Sequence, residues 1–303
     1  MTTDSSQHKS GFVAVLGQPN VGKSTLTNAL LKFPLSITTP KPQTTRHRIL
    51  GIHTEKDAQV IFLDTPGLID PKYKLQDWMM KAARAALRDA DVNLLLVEAA
   101  AKPHSKDVEI LEMVAAAGAP IILGVNKIDL VDKKKVLPLI DAFQKLHEFS
   151  DIIPMSALEN INLDVLMPAI LKYLPFGPSL YPDDIVTEHP ERFFVSELIR
   201  EQIFRHYSDE VPFSTAVIVD EFHERPGRKD FIKARIVVER DSQKRIMIGK
   251  AGKDIRQVGQ SAREEIEKFL QRPVYLELFV AVREKWRKKD IFLKEFGYDP
   301  RSK

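Results

Sequence analysis

Cysteine is missing from all 303 residues. Its absence removes disulfides, thiolate-bound metals and thiol nucleophiles, and is expected of a protein kept in a reducing intracellular compartment. Long apolar runs are missing as well. The longest, residues 113–125, is broken by Gly118 and Pro120 and falls well short of the ~20 residues that span a bilayer, so any membrane contact is expected to be peripheral. Residues 1–10 are polar and lack the apolar segment of a secretory signal; they read as a flexible N-terminal arm. Histidines such as His147 and His206 stand alone, without metal-ligand spacing. A charge excess of one sign is nearly absent, the net being +3, yet residues 244–294 hold 14 Lys+Arg against 7 Asp+Glu. That local excess suits a polyanion such as RNA, with a basic solvated face as the plainer reading.

What the chain does contain begins with an apolar run, residues 12–16, followed by Gly17-Gln18-Pro19-Asn20-Val21-Gly22-Lys23-Ser24-Thr25 and a helical pattern. A strand, a glycine-containing loop and a helix N-terminus bring successive backbone N–H groups onto one anion, expected to be a polyphosphate. Gly17 and Gly22 allow the backbone close approach. Lys23 reaches the outer phosphates, and Ser24 offers a hydroxyl to Mg²⁺.

Short apolar runs alternate with helical patterns over residues 11–174, which predicts a mostly parallel sheet covered on both faces, with ligands at the carboxyl ends of its strands. The run 60–63 delivers Asp64-Thr65-Pro66-Gly67, where a carboxylate at a strand end suits a hard cation and Gly67 brings its N–H to a terminal phosphate. The run 121–125 delivers Asn126-Lys127-Ile128-Asp129. A carboxylate at Asp129 accepts two hydrogen bonds from adjacent N–H groups, which guanine offers and adenine does not. Next comes Ser156-Ala157-Leu158, whose backbone is placed to contact the purine oxygen, although Ser156 with Glu159 also reads as a capping box. Between the first loop and Asp64, the extended segment 38–47 is either a linker or a switch whose threonine completes the Mg²⁺ shell when a γ-phosphate is present. Thr45 is the first choice and Thr44 the alternative.

In this order, these motifs resemble the translation-factor-like GTPases of the Ras type. The form Gly-x-Pro-Asn-Val-Gly-Lys-Ser-Thr, with Thr44-Thr45-Arg46, resembles the Era-type branch and its ribosome-assembly and tRNA-modification relatives. The resemblance implies GTP and GDP as ligands, Mg²⁺ held at Ser24, Thr45 and Asp64, and a six-stranded mixed sheet with one antiparallel edge. Leu68 stands where Ras-like proteins have the water-positioning Gln, so intrinsic hydrolysis is expected to be slow. In relatives lacking that Gln the loop Asn helps hold an activating K⁺, which makes Asn20 a K⁺ ligand by resemblance.

Residues 175–190, rich in proline, read as a stiff linker. Beyond it, over 191–303, the pattern predicts a helix (192–206), two strands (214–222 and 231–240), a short helical turn, a helix (254–270) and a strand (274–282), then a basic C-terminal helix. Ile248-Gly249-Lys250-Ala251-Gly252-Lys253 resembles the GXXG loop of a type II KH domain, an α+β fold in which the glycines let backbone N–H groups meet the phosphates of a single strand. Lys250, Lys253 and Arg256 add charge, and Trp286 lies in a basic stretch suited to base stacking. A GTPase domain, a linker and a KH domain together resemble the Era-type architecture from residue 11 to 296. That resemblance implies binding near the 3′ end of 16S ribosomal RNA, a role in small-subunit maturation, a monomer, and a cytoplasmic location with partial peripheral association with the inner membrane. The competing readings are a non-enzymatic GTP sensor or RNA chaperone with incidental turnover, and a tRNA-modification type of GTPase.

Overall fold

Strands that are buried on both faces need apolar side chains at every position rather than at alternate ones, and residues 13–16 and 60–63 meet that condition with side chains almost wholly out of solvent. In the computed structural model, which describes residues 8–100 and 102–298, they lie at the centre of one of two compact units. The first comprises the described part of Met1–Ser36 together with Thr45–Pro71 and Met79–Glu188. The second comprises Ile37–Thr44, Lys72–Trp78 and the described part of His189–Lys303.

The first unit is built from β1 (Lys9–Gly17), α1 (Lys23–Leu31), β2 (Ile49–Glu55), β3 (Ala58–Asp64), most of α2 (Lys74–Asp89), β4 (Val92–Glu98), α3 (Ser105–Ala115), β5 (Ile121–Asn126), α4 (Lys133–Gln144), β6 (Asp151–Pro154) and α5 (Leu163–Tyr173). Its six strands run in the order β2-β3-β1-β4-β5-β6. All neighbouring pairs are parallel except β2 with β3. The mixed sheet with one antiparallel edge is therefore the observed one. Register pairs Val15 with Asp64, Gly17 with Leu96 and Glu98 with Asn126. The motif-bearing strand ends thus share one edge, where the chain order reverses about β1 and a crevice opens.

One expectation changes here. Lys9 and Ser10, read as part of a loose arm, belong to β1; the rest of that arm up to residue 7 lies outside the described residues. The proline-rich segment, read as a stiff linker, is also tied along the edge of the sheet. Gln59 accepts from the N–H groups of Leu180 and Tyr181 at 2.8 and 2.9 Å and donates to the Tyr181 carbonyl at 2.9 Å. Further along, the Ile52 N–H donates to Val186 O at 2.7 Å, and Thr187 Oγ1 donates to Leu50 O at 2.6 Å. The segment satisfies the outer polar groups of edge strand β2, which would otherwise be open to pairing.

The second unit contains α6 (Glu191–His206), β7 (Ala216–His223), β8 (Asp230–Val238), α7 (Asp241–Ile248), α8 (Lys253–Leu270), β9 (Val274–Val282) and α9 (Asp290–Glu295). The sheet is β7-β8-β9, antiparallel then parallel. Ile232, Ala234, Ile236 and Val238 of β8 pack with Val195, Ile199 and Ile203 of α6 and with Val258, Ala262 and Ile266 of α8. One face is covered and the other left open, which accounts for the partial alternation along β8. The expected helical turn before the glycine loop is a full helix, α7, and the expected basic C-terminal helix is only the six residues of α9.

Candidate nucleotide site and glycine loop

After β1, the chain turns through residues 18–22 into α1. Gly22 sits at φ +99°, and a Cβ there would lie 2.2 Å from the Asn126 amide nitrogen, so both backbone angle and space demand glycine. Lys23 is buried at the loop's centre, its Nζ donating to Gly17 O at 3.2 Å and Gln18 O at 2.7 Å. Burial lowers its pKa to about 8, with the Asp64 carboxylate pulling the other way. Val21 is buried, Thr25 half-buried on α1, and Asn20 exposed at the loop's tip with φ +67°.

Ser24, Thr45 and Asp64, the set that the resemblance implies, come together. Ser24 Oγ donates to Asp64 Oδ2 at 2.8 Å and lies 2.8 Å from Thr45 Oγ1. The sequence reading missed a fourth member: Ser36 Oγ donates to Asp64 Oδ2 at 2.6 Å, and its own position is fixed by two hydrogen bonds to the Asn28 side chain. No motif marks Ser36, because its partners lie 8 and 28 residues away. Asp64 Oδ1 is buried without a partner, and burial raises the carboxyl pKa against the opposing hydrogen bonds of Ser36 and Ser24 and the charge of Lys23. An all-oxygen set with one unspent carboxylate oxygen fits a hard cation such as Mg²⁺. Of the two threonines weighed for this role, Thr45 brings its hydroxyl to Ser24, whereas the Thr44 carbonyl accepts from Arg200 within the second unit.

In Asp64-Thr65-Pro66-Gly67, Thr65 Oγ1 donates to Val15 O at 2.7 Å, tying the end of β3 to β1. Gly67 lies against the phosphate loop, where a Cβ would be 2.6 Å from Pro19 N. The Leu68 side chain is buried while its N–H donates to Gly17 O at 3.1 Å, so this position offers no side-chain polar group to a water.

Asn126 acts as a brace. Its Nδ2 donates to Val21 O at 2.7 Å and its Oδ1 accepts from Ala157 N–H at 2.9 Å, linking the phosphate loop to the turn after β6. Lys127 adopts φ +64° and pairs with Glu98 at 2.7 Å, and Asp129 is exposed in the short helical turn that follows. Ser156 and Ala157 are buried and Leu158 is exposed. Ser156 Oγ accepts from Glu159 N–H at 3.2 Å, but the Ser156 N–H donates to Ile161 O at 3.2 Å, so only half of the capping box forms. It closes a turn, since α5 begins only at Leu163.

In the second unit, α7 ends at Ile248 and α8 begins at Lys253, with Gly249, Ala251 and Gly252 all at positive φ. Lys250, Ala251, Lys253 and Arg256 are exposed around the N-terminus of an 18-residue helix, an arrangement suited to phosphate. Trp286 corrects the reading of a base-stacking residue. It is fully buried, its Nε1 donates to Ser214 O at 2.8 Å, and it packs against Phe296 and Tyr298. The aromatic ring serves the core, and only its basic neighbours reach solvent.

Comparison with known proteins agrees with this geometry. A family model described as 50S ribosome-binding GTPase matches residues 12–127, and one described as KH domain matches residues 210–287. The chain is 48% identical over 293 residues to the GTPase Era of Geotalea uraniireducens (strain Rf4), covering 97% of this chain and 99% of that one. It is also 48% identical over 291 residues to the GTPase Era of Geobacter metallireducens (strain ATCC 53774 / DSM 7210 / GS-15), covering 96% and 98%. Among solved structures, Era in complex with MgGDPNP and nucleotides 1506–1542 of 16S ribosomal RNA matches with a TM-score of 0.93 at 43% identity, over 96% of this chain and 99% of that one. A variant of Aquifex aeolicus Era bound to GDP·AlF4⁻ matches with the same score, identity and coverage. With nearly half the residues identical over almost the whole of both chains, the protein belongs to the Era family of GTPases.

Proposed function

We propose that the chain binds GTP with Mg²⁺, hydrolyses it slowly, and uses its C-terminal unit to bind the 3′ end of 16S ribosomal RNA during maturation of the small ribosomal subunit. The observation that carries the nucleotide half is the buried cluster of Ser24, Thr45 and Asp64 beside Lys23, with Asp64 Oδ1 unpartnered. Those three side chains would hold Mg²⁺, which when bound neutralises charge on the β- and γ-phosphate oxygens. Lys23 exchanges the carbonyls of Gly17 and Gln18 for phosphate oxygens, which compensates the desolvation that now weakens its charge. Asp129 accepts from the guanine edge, while Asn126 keeps the base turn and the phosphate loop in fixed relation. Leu68 leaves the attacking water without a side-chain guide, so turnover depends on a further cation. Asn20, exposed at the loop tip, would offer its amide oxygen to K⁺.

The RNA half rests on the exposed glycine loop at the start of α8, together with the 16S fragment bound by the solved relative. The reading extends to a monomer working in the cytoplasm with partial peripheral association with the inner membrane. Among the described residues no helix is long and apolar enough to cross a membrane. The test is the full chain with Lys250→Asp and Ala251→Asp, titrated with an oligonucleotide of the 3′-terminal 16S sequence. Affinity is expected to fall at least tenfold by phosphate repulsion while GTP turnover is unchanged. Unchanged RNA affinity would overturn the role of the glycine loop and leave the nucleotide half untouched.

A further inference from the structure

The open face of the β7-β8-β9 sheet carries a row of three aromatic rings. His223, Phe231 and Tyr275 are direct cross-strand neighbours in register. Their rings are nearly parallel, with centroids 6.1 Å apart at 16° for the first pair and 6.0 Å apart at 15° for the second. Tyr275, at the end of the row, is 52% exposed. The Arg225 guanidinium sits 4.8 Å from the Phe231 centroid. Directly beside the row, the β7–β8 turn and the start of β9 enclose a cleft of about 530 Å³ lined by Glu224–Asp230, Arg272 and Pro273.

Charge on this face is not uniform. In its middle, Lys233 pairs with Glu221 at 3.1 Å and Arg235 with Asp220 at 2.9 Å, which neutralises the surface there. At the cleft, Arg272 is engaged by Glu191 and Asp230, while Arg225, Arg228 and Lys229 are exposed around the turn. The cleft lining thus carries four positive side chains, Arg225, Arg228, Lys229 and Arg272, against Glu224 and Asp230, an excess of positive charge beside the rings. Flat rings on adjacent strands flanked by arginine and lysine are what bases and phosphates of a flexible strand require. A double helix, with its bases already stacked on each other, gains nothing from the rings.

We propose that this end of the sheet is a second binding site for single-stranded RNA, in which Tyr275 stacks a base, Phe231 backs the Tyr275 ring, and Arg225, Arg228 and Lys229 hold phosphates. It is separate from the glycine loop, because the loop lies at the N-terminus of α8 and the cleft follows its C-terminus, about 27 Å apart for 18 residues at 1.5 Å each. It does not rest on the glycine loop binding RNA, and the experiment keeps the two apart.

The probe is a fluorescein-labelled 15-residue oligoadenylate, titrated into the full chain and into the Lys250→Asp, Ala251→Asp variant. The glycine-loop variant is expected to retain measurable affinity. Adding Tyr275→Ala should lower that affinity about tenfold, adding Arg228→Glu with Lys229→Glu should lower it further, and Tyr275→Phe should restore the wild-type ring contact and the affinity. Tyr275, Arg228 and Lys229 are exposed, so thermal melts should be unchanged. Affinity of the glycine-loop variant that is indifferent to both sets of changes, or absent altogether, would overturn the proposal and leave the face to a protein partner. Wild-type affinity in the glycine-loop variant, lost on changing Tyr275, would instead overturn the glycine-loop reading and support this one.

Discussion

Replacing Asn126 by Ala tests whether the nucleotide site is held in shape before nucleotide arrives. The side chain is almost completely buried and joins two loops through one donor and one acceptor, at 2.7 Å to Val21 O and 2.9 Å from Ala157 N–H. Truncation leaves a carbonyl and an N–H without partners inside the protein, at about 1–3 kcal/mol each. Water entering the space recovers part of this, so a net loss of about 3 kcal/mol is expected, near 100-fold if all of it appears in affinity. Because the brace touches the base turn and the phosphate loop but not the γ-phosphate side, GDP and GTP should weaken alike. Asn126→Asp keeps the acceptor for Ala157 and sets a carboxylate oxygen against Val21 O, so it should be at least as damaging. The assay is a titration with fluorescent GDP and a non-hydrolysable GTP analogue, paired with urea melts with and without GDP. An Asn126→Ala protein that binds both within threefold of wild type and melts at the same urea concentration would refute the bracing argument.

Asp129→Asn presents a donor where guanine also donates, so GTP affinity should fall by two orders of magnitude or more, on the order of a lost charged hydrogen-bond pair, while xanthosine triphosphate gains; calorimetric titration of both nucleotides decides it. Exchanging K⁺ for Na⁺ at constant ionic strength should slow phosphate release, and Asn20→Ala should abolish the difference; equal rates in the two salts for the wild type would remove the K⁺ role. RNA affinity should be higher with a non-hydrolysable GTP analogue than with GDP, and Thr45→Ala should erase the gap, as measured by filter binding; equal affinities in the wild type would leave two independent modules on one chain.

The nucleotide site was legible because each motif is local: Gly22, Lys23 and Ser24 act through their own backbone turn, and Asp64 and Asn126 simply end their strands. Parallel pairing then brings those strand ends together without further instruction. Contacts between side chains distant in sequence were not legible. Ser36 reaches Asp64 only because Asn28 pins its backbone, and no spacing rule connects the three. Trp286 misled for a related reason. Basic neighbours made the stretch look like a stacking platform, but Arg287 is drawn back to Glu239 at 2.5 Å and the indole fills the core. The row of rings lies across β7, β8 and β9, where alternation hid it within strands that also build the interior.

The segment before Thr45 shows why the reading of a linker or a switch was undecidable from composition. Residues 37–44 pack as part of the second unit. There the Lys41 ammonium donates to the carbonyls of Phe204, at 2.5 Å, and Tyr207, satisfying orphan acceptors at the end of α6 where the helix dipole favours a cation. Arg200, buried on the same helix and paired with Glu197, donates to the Thr44 carbonyl at 2.5 Å. The next residue, Thr45, already belongs to the first unit and meets Ser24. Prolines and threonines alone describe an extended chain with few partners of its own, and such a chain takes its structure from whichever surfaces offer acceptors and donors at its two ends. Here one end is fixed by a helix terminus and the other by the oxygen cluster at Asp64. If Thr45 answers to a γ-phosphate as proposed, that hold would act on a covalent strand whose preceding residue is bound to α6, and Thr45→Ala would uncouple the two.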